Sequence, residues 1–380
     1  MPARDSEKQL LRFGIIGCGR IAPYHVQALL RVPNVQIVAL ADVVAERARH
    51  LAEELAKVAA QLEVAAPPVN VYTDYRRLLE RPDVDAVTVC TPSGLHPEIG
   101  IAAARAGKHV LVEKPMSLTL AGADRLIAAA RENQVKLGVS FQNRFNPTVV
   151  KLRQAIETGR FGRLSHGVAS VRWHRSPEYY SEDAWRGTWA LDGGALMNQA
   201  IHDIDLLQWM MGSVVRVSAF AATRYRPIEA EDVAIATLQF ADGSLGCIEG
   251  ATTVEPSDLE ETLAVFGELG SVVIGGVALN RMETWRFAGM DPAEEAEVQA
   301  QTAAAIKNVY GMGHQPLVAD FCQAIRENRD PVVDGAAGRK AVELVLAVYR
   351  SAEKGEPVML PLQEEVEAIV RAQAALGLPV

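Results

Sequence analysis

Between Leu11 and Ser140, short apolar runs of strand length alternate with amphipathic segments of helix length, and this alternation constrains the fold more than any other feature of the chain. The runs are Leu11 to Ile16, Gln36 to Ala41, Val69 to Tyr72, Ala86 to Cys90, His109 to Val112 and Lys136 to Ser140. Most are β-branched and apolar, as strands covered on both faces must be. The pattern predicts a doubly wound α/β domain over residues 1–140, built on a parallel sheet of six strands.

After Asn146 the rhythm changes. Strand-like segments beyond Ser213 follow one another through short turns such as Ala241-Asp242-Gly243-Ser244, which favour antiparallel hairpins. A chain of 380 residues exceeds what one core normally serves, so residues 141–380 read as a second, α+β domain. Its expected helices are Pro147 to Thr158, Ala195 to Met211, Leu317 to Glu327 and Arg339 to Lys354, the last stopped by Gly355. The acidic stretch Pro292 to Thr302 reads as a solvated helix face.

The first run ends in Gly17-Cys18-Gly19-Arg20-Ile21-Ala22, a GxGxxA string between a strand and a helix. Gly17 makes the tight turn, Gly19 lets the backbone approach a pyrophosphate, and Ala22 lets helix and sheet pack closely. Unpaired amides around Arg20 and Ile21, at the helix N-terminus, would face that charge. The second run ends at Asp42, whose carboxylate can accept from an adenosine ribose and repels the extra phosphate of NADP. The expected cofactor is therefore NAD, although Arg47 and Arg49 are cations that would serve NADP. Thr91, Pro92 and His96 follow the fourth run, at the carboxyl edge where ligands of such sheets lie, and His96 reads equally well as a helix-start residue.

Glu113-Lys114-Pro115 stands at that same edge. Proline fixes the preceding residue in an extended conformation, and an amine beside a cationic nicotinamide and out of water loses its proton more easily. Lys114 is thus a candidate base for a hydroxyl proton, or else a surface lysine. Asp192-Gly193-Gly194 enters a helix in which Asn198 and His202 lie four apart on one face, with Asp205 placed to orient the ring. His202 could polarise substrate, be buried as structure, or bind metal with Asp205; with no third or fourth ligand assignable, the expectation is no metal. Between these motifs, Arg172-Trp173-His174-Arg175, Tyr179-Tyr180 and Trp185-Arg186 combine aromatic faces with guanidinium forks, which suit a sugar bearing carboxylate or phosphate.

Composition narrows the partners. A net charge of -9 and no run of basic residues interleaved with aromatics exclude nucleic acid as an expected partner. Cys18, Cys90, Cys247 and Cys322 lie far apart without CxxC spacing, which fits a reducing, cytoplasmic setting. The stretch from Met1 to Arg12 carries no export signal, and no segment offers a membrane span.

With the glycine fingerprint, Glu113-Lys114-Pro115 and the helix ending in His202-Asp203-Ile204-Asp205 in this order, the chain resembles the Gfo/Idh/MocA oxidoreductases. Asp320-Phe321 to Ile325, Pro331 to Arg339 and Pro357 to Pro361 are also similar to that family's C-terminal pattern. The resemblance implies a Rossmann domain followed by a domain with an open, largely antiparallel sheet, assembly into a homodimer or homotetramer, Lys114 as catalytic lysine and His202 as its histidine. One departure stands out: many members carry Asp where this chain has Asn198, which can hydrogen-bond but not relay a proton. The strings Ala195 to His202, Gln142 to Pro147 and Trp185 to Trp189 resemble the subgroup that oxidises UDP-N-acetylglucosaminuronic acid at C3. That similarity implies Gln142 beside the cofactor, and Arg144, Asn146, Arg172, Tyr180, Trp185, Arg186 and Asn198 around a nucleotide sugar. A dehydrogenase of inositol or a free sugar is the alternative enzyme, and a non-catalytic NAD-binding sensor the alternative of another class.

Overall fold

The computed structural model describes residues 9–65, 67–303 and 311–379; the N-terminal stretch read above as lacking an export signal lies outside them up to residue 8. Six parallel strands form the first sheet: β1 (Leu11–Ile16), β2 (Val35–Ala41), β3 (Asn70–Tyr72), β4 (Ala86–Val89), β5 (His109–Val112) and β6 (Leu137–Val139). Their spatial order is β3-β2-β1-β4-β5-β6, with parallel pairing throughout. Every residue of β4 is buried, because helices cover both faces. Helix Ala45–Gln61 shows how: Ala48, Leu51, Leu55 and Ala59, spaced three and four apart, form its single buried face. Thr119 caps helix Leu120–Glu132 by accepting from the Gly122 amide.

The second sheet holds β7 (Leu164–Arg172), β8 (Val214–Ala222), β9 (Val233–Phe240), β10 (Leu245–Ala251), β11 (Glu260–Gly267), β12 (Gly270–Gly275), β13 (Arg281–Phe287) and β14 (Val358–Met359). The order is β13-β12-β11-β7-β10-β9-β8-β14; only β7 and β10 pair in parallel. Alternation in β9 buries Ala234, Ala236, Leu238 and Phe240 beneath helices and leaves Ile235, Thr237 and Gln239 outside. The acidic stretch is indeed helical over Pro292–Thr302, with only Val298 and Thr302 buried.

Packing does not follow chain order. Helix His314–Glu327 returns to the first sheet, where Leu317, Val318, Phe321 and Cys322 join a core with Phe13, Ile15 and Leu29. Phe321 meets Phe13 edge to face at 6.4 Å between centroids, and the Val139 amide donates to the Val333 carbonyl at 3.0 Å. The unit that holds the glycine loop thus draws on residues far beyond 140. The helix expected over Ala195 to Met211 is two pieces, a π-helical turn at Leu196–Ala200 and an α-helix at Ile201–Met211.

Candidate active site

The order of the first sheet opens a crevice at the carboxyl ends of β1 and β4, where connections leave in opposite directions. Gly17 crosses it with φ +90°, and a Cβ there would lie 2.5 Å from the Cys90 carbonyl oxygen, so no other residue fits. A Cβ on Gly19 would meet nothing within 4 Å, which leaves the backbone open to a phosphate at the start of helix Ala22–Leu30. Asp42 Oδ2 accepts from the Cys18 amide and Oδ1 from the Val44 amide, both at 2.8 Å. The carboxylate therefore fixes the glycine loop and still has lone pairs for a ribose. These residues fit a dinucleotide, and with Arg20, Ile21, Thr91, Pro92, His96, Glu113 and Gln142 they line one cleft of about 910 Å³.

The carboxyl ends of β4 and β5 are braced by buried hydrogen bonds. The His96 ring lies 2.7 Å from the carbonyls of both Thr91 and Pro115, tying together the loops after β4 and β5. Burial pulls its pKa down more strongly than those acceptors raise it. Glu113 is buried and receives His25 Nε2 at 2.7 Å. Burial alone would push its carboxyl up; the His25 bond and charge, with His314 and Lys114, hold it at about 2. Lys114, next to a cis peptide to Pro115, donates from Nζ to the Asn198 carbonyl at 2.6 Å. Burial depresses its pKa; Glu113 and Asp192 oppose that, while Arg175 and Arg186 reinforce it.

Asn198 and His202 face the same cleft, as their spacing predicts. His202 is buried, with Nε2 3.4 Å from the Gln142 side-chain nitrogen and the Phe141 ring packed against it edge to face. Burial and then the Lys114 charge keep this imidazole well below its ordinary pKa, hence neutral. Asp205 does not orient it: Arg144 Nε and Nη2 grip both carboxylate oxygens at 2.7 and 2.6 Å, and His202 Nδ1 is without a partner among the described residues. A planar two-bond fork outcompetes one contact to a ring, and it removes Asp205 from any metal site shared with His202.

Four residues expected beside substrate stand elsewhere. Arg144 is buried in that ion pair; Asn146 donates to the Ala278 carbonyl; the Tyr180 hydroxyl donates to Thr252; Arg172 is held across the sheet by Glu249 and Glu260. None of the four lines the cleft, whereas Trp185 and Arg186 do. Arg175 and Tyr179, present in the same sequence strings but passed over there for Arg172 and Tyr180, line the cleft instead. Arg175 Nη1 reaches Asp258 at 2.9 Å and its guanidinium stacks on Trp173. Arg186 donates to the Tyr179 hydroxyl at 2.6 Å and stacks on Tyr179 and Trp185. Gln199 and Asp258 also line the cleft and carried no signal in isolation.

Residues 11–141 match the model of the oxidoreductase family with NAD-binding Rossmann fold, and residues 149–273 match the Gfo/Idh/MocA C-terminal domain. The WlbA dehydrogenase of Bordetella pertussis, solved with NADH and UDP-GlcNAcA, superposes with a TM-score of 0.84 at 37% identity, over 93% of this chain and 99% of that one. The oxidoreductase YrbE of Bacillus subtilis is 30% identical over 93% of this chain and 97% of its own length. The myo-inositol 2-dehydrogenase of Thermotoga maritima is 28% identical over 92% and 98%. With an NAD-binding Rossmann domain, a second mixed and mostly antiparallel sheet, and both halves matched, this chain belongs to the Gfo/Idh/MocA family of NAD-dependent dehydrogenases acting on sugar and polyol hydroxyls.

Proposed function

We propose that this enzyme oxidises the 3-hydroxyl of UDP-N-acetylglucosaminuronic acid to the 3-keto sugar. The observation that carries the reading is the convergence of Lys114, Asn198 and His202 with Arg175 and Arg186 on the cleft that begins at the glycine loop. Bound NAD supplies the hydride acceptor. Lys114 Nζ takes the hydroxyl proton as the C3 hydrogen leaves with its electron pair, which requires the neutral amine that burial favours. Neutral His202 holds the same oxygen by a hydrogen bond, and Asn198 fixes the position of Lys114 through its carbonyl. Arg175 and Arg186 are the forks for the uronate carboxylate or the diphosphate, with Tyr179 and Trp185 as faces for the sugar. Similarity to WlbA supports this substrate class.

Titrating the NADH-loaded enzyme with UDP tests the reading: competition with the sugar nucleotide supports it, and indifference to UDP favours the second reading. That second reading, an inositol dehydrogenase, is favoured by the likeness to the Thermotoga enzyme and needs no nucleotide subsite. Self-association through the second sheet is supported by its exposed apolar side chains, Phe220, Ile235 and Leu245 among them. Four free cysteines are in keeping with a reducing compartment, and among the described residues no helix is long and apolar enough to cross a membrane.

A further inference from the structure

Asp192, at the turn before the glycines, was not among the residues expected to serve the chemistry, yet the residue is 1% exposed and its carboxylate is hydrogen-bonded within the site. Oδ2 accepts from the Gly187 amide at 2.6 Å, and Oδ1 accepts from the side-chain amide of Asn198. The carbonyl of the same Asn198 receives Lys114 Nζ at 2.6 Å. One residue is thus gripped by Asp192 through its side chain and presents its backbone to the lysine. It does so within the π-helical turn Leu196–Ala200, a widened helical geometry frequent at functional sites. Gly193, with φ +79°, lets the chain reverse between the two; a Cβ there would strike the Met197 side chain at 2.5 Å.

The charges complete the picture. Lys114 is faced by Glu113 from its own loop, Asp192 from the glycine turn, Arg175 and Arg186 from the segment after β7, and His202 from the helix. Two cations therefore oppose protonation of the lysine, and two carboxylates support it. Glu113 is already committed to His25, which leaves Asp192 as the carboxylate whose neighbours are the lysine, Arg186 and neutral amides. Glu231 and Tyr349 lie behind the glycine turn and are hydrogen-bonded to each other at 3.0 Å.

We propose that Asp192 is a positioning residue of this enzyme: through Asn198 it holds the carbonyl that aims Lys114 at the substrate, and its charge sets the pH at which Lys114 gives up its proton. The proposal rests on Lys114 being the base. Burial pushes the Asp192 carboxyl up to about 6, against the Gly187 and Asn198 hydrogen bonds and the Arg186 and Lys114 charges, so it is ionised above neutral pH, where the lysine must work.

The test is the titration of Lys114 itself, read by competitive acetylation with trace acetic anhydride across pH and peptide mass spectrometry on the full chain. Asp192→Asn keeps an acceptor for the Gly187 amide but removes the charge; the Lys114 midpoint should fall by about one pH unit, and the acid limb of kcat/KM should move with it. Asn198→Ala, which deprives the Asp192 carboxylate of a donor, should shift the midpoint the same way by less, and decides the matter if Asp192→Asn does not fold. A midpoint at the wild-type value in the folded variant would overturn the proposal and leave Lys114 as base untouched. Full turnover in Lys114→Ala would instead overturn the reading of the base, whatever the acetylation shows.

Discussion

The Arg144–Asp205 pair gives a sharp contrast between two accounts of Asp205. Side-chain exposures are 7% and 3%, two charge-assisted hydrogen bonds join the partners, and the guanidinium also stacks on Trp209 at 4.8 Å. Burial pushes the Asp205 carboxyl up even against that neighbour, so desolvation consumes most of the attraction and the intact pair adds little net stability. Removing one partner is different. Asp205→Ala leaves a buried guanidinium without its anion, a change that costs about 3–5 kcal/mol. The paired replacement Arg144→Met with Asp205→Leu removes both desolvation penalties and should recover most of the loss. Urea unfolding followed by circular dichroism measures each change, and activity per folded molecule is measured alongside. The structure predicts a large stability loss for Asp205→Ala with kcat per folded molecule within a few-fold of wild type. An unchanged unfolding midpoint with kcat reduced roughly 100-fold or more would show instead that Asp205 serves the chemistry through His202.

Three further outcomes follow from the site. Lys114→Ala should lower kcat by roughly 100- to 10,000-fold while NAD still quenches protein fluorescence, and a kcat near wild type would remove Lys114 as base. Asp42→Ala should weaken NAD more than NADP and also loosen the loop, since the Cys18 and Val44 amides lose their acceptor; equal weakening of both cofactors in equilibrium titrations would contradict its role. Because the Glu113 carboxyl is held at about 2 in the fold, below an unfolded value of about 4.3, its contribution to stability is present above that unfolded value and is lost as pH falls toward 2. Glu113→Gln should therefore flatten the acid slope of unfolding free energy, and a slope identical to wild type would contradict the assignment.

The first sheet was legible because its signal is local. The central strands are buried apolar runs, the boundaries of β1 and β5 fall where the hydrophobicity changes, and Gly17 marks the loop by what a side chain could not do there. The face shared by Asn198 and His202 follows from helical spacing, even though the π turn between them is invisible in the pattern. What could not be read was pairing over long distances. Arg172 and Arg175 are equivalent as sequence, and the choice between them is made by Glu249 and Glu260, whose strands pair with β7 from 77 and 88 residues away. Tyr179 and Tyr180 differ only in which one meets Thr252, 72 residues on from Tyr180. Asp205 stood at the right interval to orient His202, but Arg144 arrives from another element and takes both oxygens. The helix His314–Glu327 could be read as a helix, but its place on the first sheet depends on a crossing that no local pattern encodes.

The central claim is best tested by NADH formation, followed by absorbance, with purified enzyme, NAD and a panel of UDP-N-acetylglucosaminuronic acid, UDP-glucuronic acid, myo-inositol and glucose. The account predicts turnover with the N-acetylated UDP-uronate and little or none with inositol or glucose. Turnover of inositol or glucose, with the UDP-uronates inert, would keep the family and contradict the proposed substrate together with the roles given to Arg175 and Arg186.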